Sequence, residues 1–173
     1  MNASTADSPT PSHLPDVAEL PLDPQLDLRL VRELPVSAAQ AWAAYTQPAL
    51  LQQWFCPRPW TVSHCEVDPR PGGTFLAVMR SPEGEDQPAV AGCVLVAEPD
   101  RRLVWTDAVG PGFRPHEGGF MTATIEFTPT ATGCRYTATV RHATAEACRQ
   151  HAEMGFEQGW GAALDQLVAL MQG

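Results

Sequence analysis

AEACRQHAEMGFEQGWGAALDQLVALM, residues 145 to 171, is the longest periodic stretch in this chain, and its reading decides what the rest must do. Counting back from Met171, Leu167, Leu164, Trp160 and Phe156 recur at spacings of three and four, the period that aligns them on one face of an α-helix. Leu170, Val168 and Ala163 widen that stripe. The pattern predicts one amphipathic helix from Ala145 to Met171, a rod of roughly 40 Å at about 1.5 Å per residue, long enough to lie across a small sheet. Gly155, Gly159 and Gly161 inside it would each cost about 1 kcal/mol relative to alanine. Gly155 and Gly159 share a face, so close packing of the helix on a sheet is the first reading of those glycines. Space for a ligand beside Trp160 is the second.

Such a helix needs an apolar sheet to cover. Just upstream, Met121, Ala123, Ile125 and Phe127 alternate with Thr122, Thr124 and Glu126, and Cys134, Tyr136, Ala138 and Val140 alternate with Arg135, Thr137, Thr139 and Arg141. Both runs read as strands with one apolar and one wet face. Four more strands precede them, Trp60 to Asp68, Thr74 to Arg80, Ala89 to Ala97 and Arg102 to Ala108. The short turns Pro71-Gly72-Gly73, Pro82-Glu83-Gly84 and Glu98-Pro99-Asp100 imply antiparallel neighbours. Nearer the N-terminus, Leu26, Leu28 and Leu30 begin a strand that ends at Leu34; Ser37 is a helix N-cap for Ala38 to Tyr45, and Pro48 opens a second short helix to Trp54. The fold class is therefore α+β: one strand, two short helices, six strands and one long helix, with the helix on the apolar face of a seven-stranded sheet.

At 173 residues the chain suits one domain, residues 25 to 173, and the proline-rich segment 1 to 24 is expected to be a disordered tail. A net charge of -9 with 11 scattered basic residues argues against nucleic acid and anionic membrane surfaces as partners. The first 20 residues hold no apolar run suited to export or anchoring, which points to the cytoplasm. Cys56, Cys65, Cys93, Cys134 and Cys148, odd in number and without a C-x-x-C pair, read as reduced, mostly buried thiols.

Several local sequences resemble the activator of heat-shock protein 90 ATPase homologue-like family of the START-like superfamily. They are Leu34-Pro35-Val36 leading to Ala41-Trp42, Leu51 to Trp54 with Pro57, and Glu66-Val67-Asp68-Pro69-Arg70-Pro71-Gly72-Gly73. Gly92-Cys93-Val94 before Glu98-Pro99-Asp100-Arg101-Arg102-Leu103-Val104, and Gly159-Trp160 before Leu164-Asp165-Gln166-Leu167, complete the set. The resemblance spans about residues 26 to 172. It implies the helix-grip fold, in which a curved antiparallel sheet wraps a long C-terminal helix, often around an apolar cavity. It also implies a chaperone as the alternative partner.

No catalytic signature accompanies the fold. The chain has no G-x-S-x-G, P-loop, dinucleotide-binding glycine pattern or H-E-x-x-H. Asp68 to Gly73 lies between strands, so it reads as a hairpin turn rather than a phosphate loop. His64, Glu66 and Asp68 share a strand face but lack a second element to complete a metal site, and they read as a polar surface. The expectation is a non-catalytic domain with no cofactor and no metal, either monomer or homodimer, binding a small hydrophobic or amphipathic molecule between sheet and helix. An enzyme acting on a hydrophobic substrate ranks third, because no nucleophile has a base beside it.

Phe75, Met79, Trp105, Met121 and Trp160 are the expected lining. In Phe75, Ala77 and Met79 a small residue sits between larger ones on one face, and Met154 would add adaptable surface. Asp107 follows Leu103 and Trp105 on their face, and His142 continues the face of Val140, so both are expected as polar fixtures at the mouth. Phe113, in the glycine-rich segment Gly110 to Gly119, is expected to gate it.

Overall fold

The structure is a computed structural model that describes residues 20–173; residues 1–19, most of the expected tail, lie outside the described residues. The elements run β1 (Asp27–Leu34), α1 (Ala38–Thr46), α2 (Pro48–Trp54), β2 (Thr61–Val67), β3 (Thr74–Arg80), β4 (Gly92–Glu98) and β5 (Arg102–Thr106). A small ribbon of β6 (Val109–Gly110) and β7 (Arg114–Pro115) follows, then β8 (Thr122–Thr130), β9 (Gly133–Arg141), α3 (Ala145–Glu153) and α4 (Phe156–Gln172). Seven strands form one curled antiparallel sheet in the order β1-β9-β8-β5-β4-β3-β2, and the C-terminal helix lies on its apolar face. This is the helix-grip arrangement.

Local chemistry accounts for the helix starts. Ser37 Oγ accepts from the Gln40 backbone N–H while Gln40 Oε1 accepts from the Ser37 N–H, a reciprocal cap that fixes α1. Pro48 opens α2 where no N–H is needed. The sheet and α4 share one core in which Leu103, Ile125, Phe127, Tyr136 and Ala138 meet Phe156, Leu164 and Leu167. Polar ties hold the helix in register: Arg32 Nη2 donates to Asp165 Oδ1 at 2.8 Å, and Gln40 Nε2 donates to the Met171 carbonyl at 3.2 Å.

The single helix expected from Ala145 to Met171 is two. Gly155 adopts φ 86°, ψ 44°, a left-handed conformation that ends α3 and starts α4, so the hydrophobic period continues across a break in the backbone. Close packing on the sheet bears on only one of the other two glycines, Gly161, which lies against Arg32 of β1. A Cβ on Gly159 would meet Pro57 Cγ at 3.9 Å, and one on Gly161 would meet the Arg32 guanidinium at 3.0 Å.

Two further expectations change. The fourth strand starts at Gly92 rather than Ala89, and Val90 is 62% exposed. Only Thr74 with Cys93 and Phe75 with Gly92 pair β3 to β4; the chain rejoins β3 at its far end, where the Gln87 N–H donates to the Met79 carbonyl at 2.8 Å and Arg80 bridges Asp86, so the middle of β3 is left without a ladder partner on that side. Gly92 sits where the strands press together, since a Cβ there would collide with the Thr106 carbonyl oxygen. The outward face is polar in composition but dry at its centre: Thr124 and Thr139 are buried there, with Val104 between β4 and β8.

Candidate functional site

The apolar face of the sheet divides into two unlike regions. Over β8, β9 and β1, side chains close completely. Tyr45 from α1 and Tyr136 from β9 share a hydroxyl–hydroxyl hydrogen bond of 2.7 Å, with Trp54 and Phe127 packed against Tyr45. Burial pushes both phenol pKa values well up, so the pair is neutral and structural. The Trp54 indole N–H donates to the Ala44 carbonyl at 3.0 Å, leaving no polar loose end on that side chain.

Over β2 to β5 closure is incomplete. Cys65, Val67 and Ala77 remain half-buried on their strands and Met79 is 43% exposed. Antiparallel alternation explains part of this. Gly73 and Met79 turn their carbonyls toward the β4 side, so Ala77 does as well, yet no β4 residue stands opposite it.

Trp105 and Phe75 lie at the centre of this second region, stacked with ring centroids 4.2 Å apart and planes 13° off parallel. Phe55 from the end of α2 meets Phe75 edge-on at 5.8 Å. Trp105 is 7% exposed, and its Nε1–H is buried with no hydrogen-bond acceptor among the described residues. A buried donor in that state costs about 1–3 kcal/mol. His116 Nε2 and Thr124 Oγ1 are also buried without partners, but they lie in the loop after β7 and on the outward face; Trp105 is on the inner face.

The other expected site residues are placed as follows. Asp107 Oδ1 accepts from the backbone N–H groups of Phe120 and Met121 at 2.7 and 2.9 Å, which fixes the chain entering β8; its Oδ2 has no partner among the described residues. Met121 stands across from Asp107, half-buried against the core. Phe113 is 53% exposed at φ 60° and packs over Gly72, while the Gly112 N–H donates to the Gly72 carbonyl at 2.8 Å. The segment expected as a gate is thus pinned to the turn between β2 and β3.

His142 lies apart from Trp105, buried under α3. Its Nδ1–H donates to the Leu26 carbonyl at 2.9 Å, and its Nε2 meets His151 Nδ1 at 3.0 Å. A carbonyl only accepts, so in the neutral pair His142 Nε2 accepts from His151. Both ring nitrogens are committed. Trp160 joins this cluster through Phe156 at 5.0 Å and His151 at 6.1 Å. The structure therefore brings Phe75, Trp105, Asp107 and Met121 together, sets Trp160 and His142 in a neighbouring cluster, and leaves Met79 and Phe113 at the rim.

Two grooves flank α2 and α4, with volumes of about 420 and 460 Å³, and both include Gln53, Arg58 and Gln166. None of the eight expected residues lines them. The first of these grooves reaches Phe55, whose ring touches Phe75, so it adjoins the expected lining from the helix side.

Comparison with known proteins fits this geometry to a family. The family described as "Activator of Hsp90 ATPase homolog 1-like protein" matches residues 35–172. The chain belongs to this family. A crystal structure of a protein from Nitrosomonas europaea is 45% identical, with a TM-score of 0.84 over 87% of this chain and 97% of that one. One from Rhodobacter sphaeroides is 28% identical, with a TM-score of 0.73 over 86% and 93% of the two chains. The AHSA1 protein from Silicibacter pomeroyi is 26% identical, with a TM-score of 0.62 over 84% and 97%. None of the curated proteins compared with the chain matches it.

Within this activator-like, START-like domain, sequence reasoning missed two residues that shape the site. His151 was one histidine among five until the fold set it against His142, with Phe120 over both rings at 5.4 and 5.1 Å. No helical spacing signalled it, since five residues and the break at Gly155 separate it from Phe156. Gln166 donates to the carbonyls of Trp54 and Cys56 and accepts from the Arg58 N–H, tying α4 to the end of α2. His64 pairs with Glu66 at 3.0 Å on the surface and Asp68 with Arg70, and among the described residues no three metal-ligating side chains converge. All five cysteines are free thiols, and burial pushes the pKa of Cys56 and Cys134 up. No helix among the described residues is long and apolar enough to cross a membrane.

Proposed function

We propose that this activator-like domain binds a small hydrophobic or amphipathic molecule in the cleft between the β2–β5 half of its sheet and the C-terminal helix. The observation that carries the reading is the Trp105 indole N–H, buried on the inner face with no acceptor among the described residues, in a region where β3 and β4 share only two paired positions and apolar side chains stay partly accessible. Pockets for small apolar molecules combine such a lining with few polar groups. Phe75, Trp105 and Met121 form the wall, Asp107 supplies the polar rim, and Trp160 and His142 close the far end. Met79 and Phe113 border the entrance. The role is binding without catalysis, in the cytoplasm, by a monomer or homodimer that needs no cofactor.

The test is native mass spectrometry on protein purified gently from its own host. A reproducible small-molecule adduct on the 18.7 kDa chain, lost on denaturation, is expected. A clean mass, combined with no saturable binding of apolar probes, would overturn the reading. A second reading, association with a heat-shock ATPase, is favoured by the family's printed description. It predicts stimulation of such an ATPase by the purified domain, and a flat response at saturating protein counts against it.

A further inference from the structure

The two outer strands of the sheet, β2 and β1, end it in different ways. Helix α2 lies against β2: Gln52 Nε2 donates to the Val62 and Ser63 carbonyls at 3.3 Å each, and Cys65 Sγ donates to the Pro48 carbonyl at 3.2 Å. That edge is covered, the usual protection of an outer strand. At β1 the turn Asp23 to Asp27 fills only the first position, where the Asp27 N–H donates to the Asp23 carbonyl at 2.8 Å.

The ladder fixes which residues face the rest of that edge. His142 stands opposite Leu26, one step beyond the Asp27–Arg141 pair, and its N–H donates to the Leu26 carbonyl. Alternation then commits the N–H and C=O groups of Leu28, Leu30, Arg32 and Leu34 to β9. Arg29, Val31 and Glu33 are out of phase with these and point their backbone groups away from the sheet, where no hydrogen bond among the described residues meets them. Their side chains share the outward face and are exposed. Glu33 pairs with Arg135, and Arg29 makes no ion pair among the described residues.

This edge is complementary to itself. In an antiparallel second copy with Val31 facing its own counterpart, Arg29 lies opposite Glu33 and Glu33 opposite Arg29. All three pairs bring outward N–H and C=O groups together, giving about six main-chain hydrogen bonds. Opposed Cβ atoms are about 5 Å apart in such a ladder, so two ion pairs flank the paired valines. Other registers lose the match. A shift of two residues sets Asp27 on Glu33 or Arg29 on Pro35, and a shift of four sets Arg29 on Arg29 or Glu33 on Glu33. A shift of one opposes residues whose backbone groups face opposite ways.

We propose that β1 is a dimerisation edge, at which two copies of this chain pair antiparallel through Arg29, Val31 and Glu33 about a twofold axis at Val31. The two sheets then become continuous. The contact lies away from the β2–β5 cleft and is independent of the ligand reading. It is short, so the dimer exchanges with monomer rather than being obligate.

Sedimentation of the full chain across the micromolar to millimolar range tests this, at about 0.15 M salt, where a Debye length of about 8 Å screens the repulsion between two chains of net charge -9. The mass should rise from 18.7 kDa toward twice that value, and the Val31 amide should exchange more slowly as it does. Val31→Pro removes an N–H that the β1–β9 ladder does not use, at an edge position where proline is tolerated, and should weaken association at least tenfold. Arg29→Glu and Glu33→Arg each oppose like charges and should stay monomeric alone, whereas their equimolar mixture restores opposite charges at both positions and should dimerise. That recovery does not depend on the proline variant folding. A chain that remains at 18.7 kDa at millimolar concentration, a dimer unaffected by Val31→Pro, or a mixture no more associated than its components overturns the proposal. So does a monomer whose Val31 amide is already protected, because the edge is then covered within the chain.

Discussion

Two tryptophans on one apolar face of one sheet meet opposite fates. Trp54 sits where α1, α2 and the β8–β9 side close over each other, and its indole N–H donates to the Ala44 carbonyl. Trp105 sits where β3 parts from β4, equally shielded from water, and its N–H donates to nothing among the described residues. Side chains are normally placed so that buried donors find partners. An exception in the half of the sheet that is also incompletely paired sets the two halves apart, and it is the ground on which a ligand is proposed there.

The contrast can be broken most forcefully in the closed half. Leu164→Ala removes a fully buried side chain from the centre of α4 and should cost about 3–5 kcal/mol, whereas Met79→Ala at the open rim should cost under about 1 kcal/mol. Urea denaturation of both variants measures the difference, and comparable losses would erase the distinction between the halves.

Acid attacks the closed half next. Burial, with His142 facing it, holds the His151 pKa down at about 4 against 6.5 for a free imidazole. The unfolded chain therefore takes up that proton first, so stability falls as pH drops below about 6.5 and the loss is complete below about 4. After allowance for solvent screening the contribution should be about 2 kcal/mol, read as a falling urea midpoint between pH 7 and pH 4. A midpoint that stays flat over that range would mean the imidazole pair does not hold α3 to β9.

The tyrosine pair gives a smaller effect. Tyr45→Phe leaves the Tyr136 hydroxyl buried without its partner and should cost about 1–2 kcal/mol, and the double change Tyr45→Phe with Tyr136→Phe should cost less than the two singles added. A strictly additive cycle would argue that the hydroxyl contact carries no coupling energy.

The matched tryptophan substitutions sharpen the comparison at the smallest scale. Trp54→Phe orphans the Ala44 carbonyl, while Trp105→Phe discards a donor that had no bond to lose. Trp54→Phe should therefore be the more destabilising by about 1 kcal/mol in urea titrations.

The sequence made the closed half legible because its rules are local. Ser37, Pro48, and the alternation through Ile125 and Ala138 each state their structure within a few residues, and the elements followed close to their expected bounds. The helix period from Phe156 to Met171 was equally plain. Where reading failed, the deciding contact was distant. The break at Gly155 depends on a left-handed turn that side-chain periodicity does not record, and Val90 falls just outside a strand that begins at Gly92, where the backbones of β3 and β5 come close. Phe75, Trp105, Asp107 and Met121 were picked out for strand parity and do cluster, but parity alone could not reveal that His142 spends both nitrogens on Leu26 and His151, or that Gly112 fastens the Phe113 loop to Gly72.

Hydrogen exchange at a single amide tests the central contrast most directly. The Ala77 N–H faces the gap between β3 and β4, whereas Ile125 lies in the fully paired β5-β8-β9 ladder. In the free protein Ala77 should exchange faster than Ile125 by orders of magnitude, and saturation with an apolar probe such as naphthalene should slow Ala77 while leaving Ile125 unchanged. Equal protection of the two amides without ligand, or a ligand that leaves Ala77 untouched, would contradict the account.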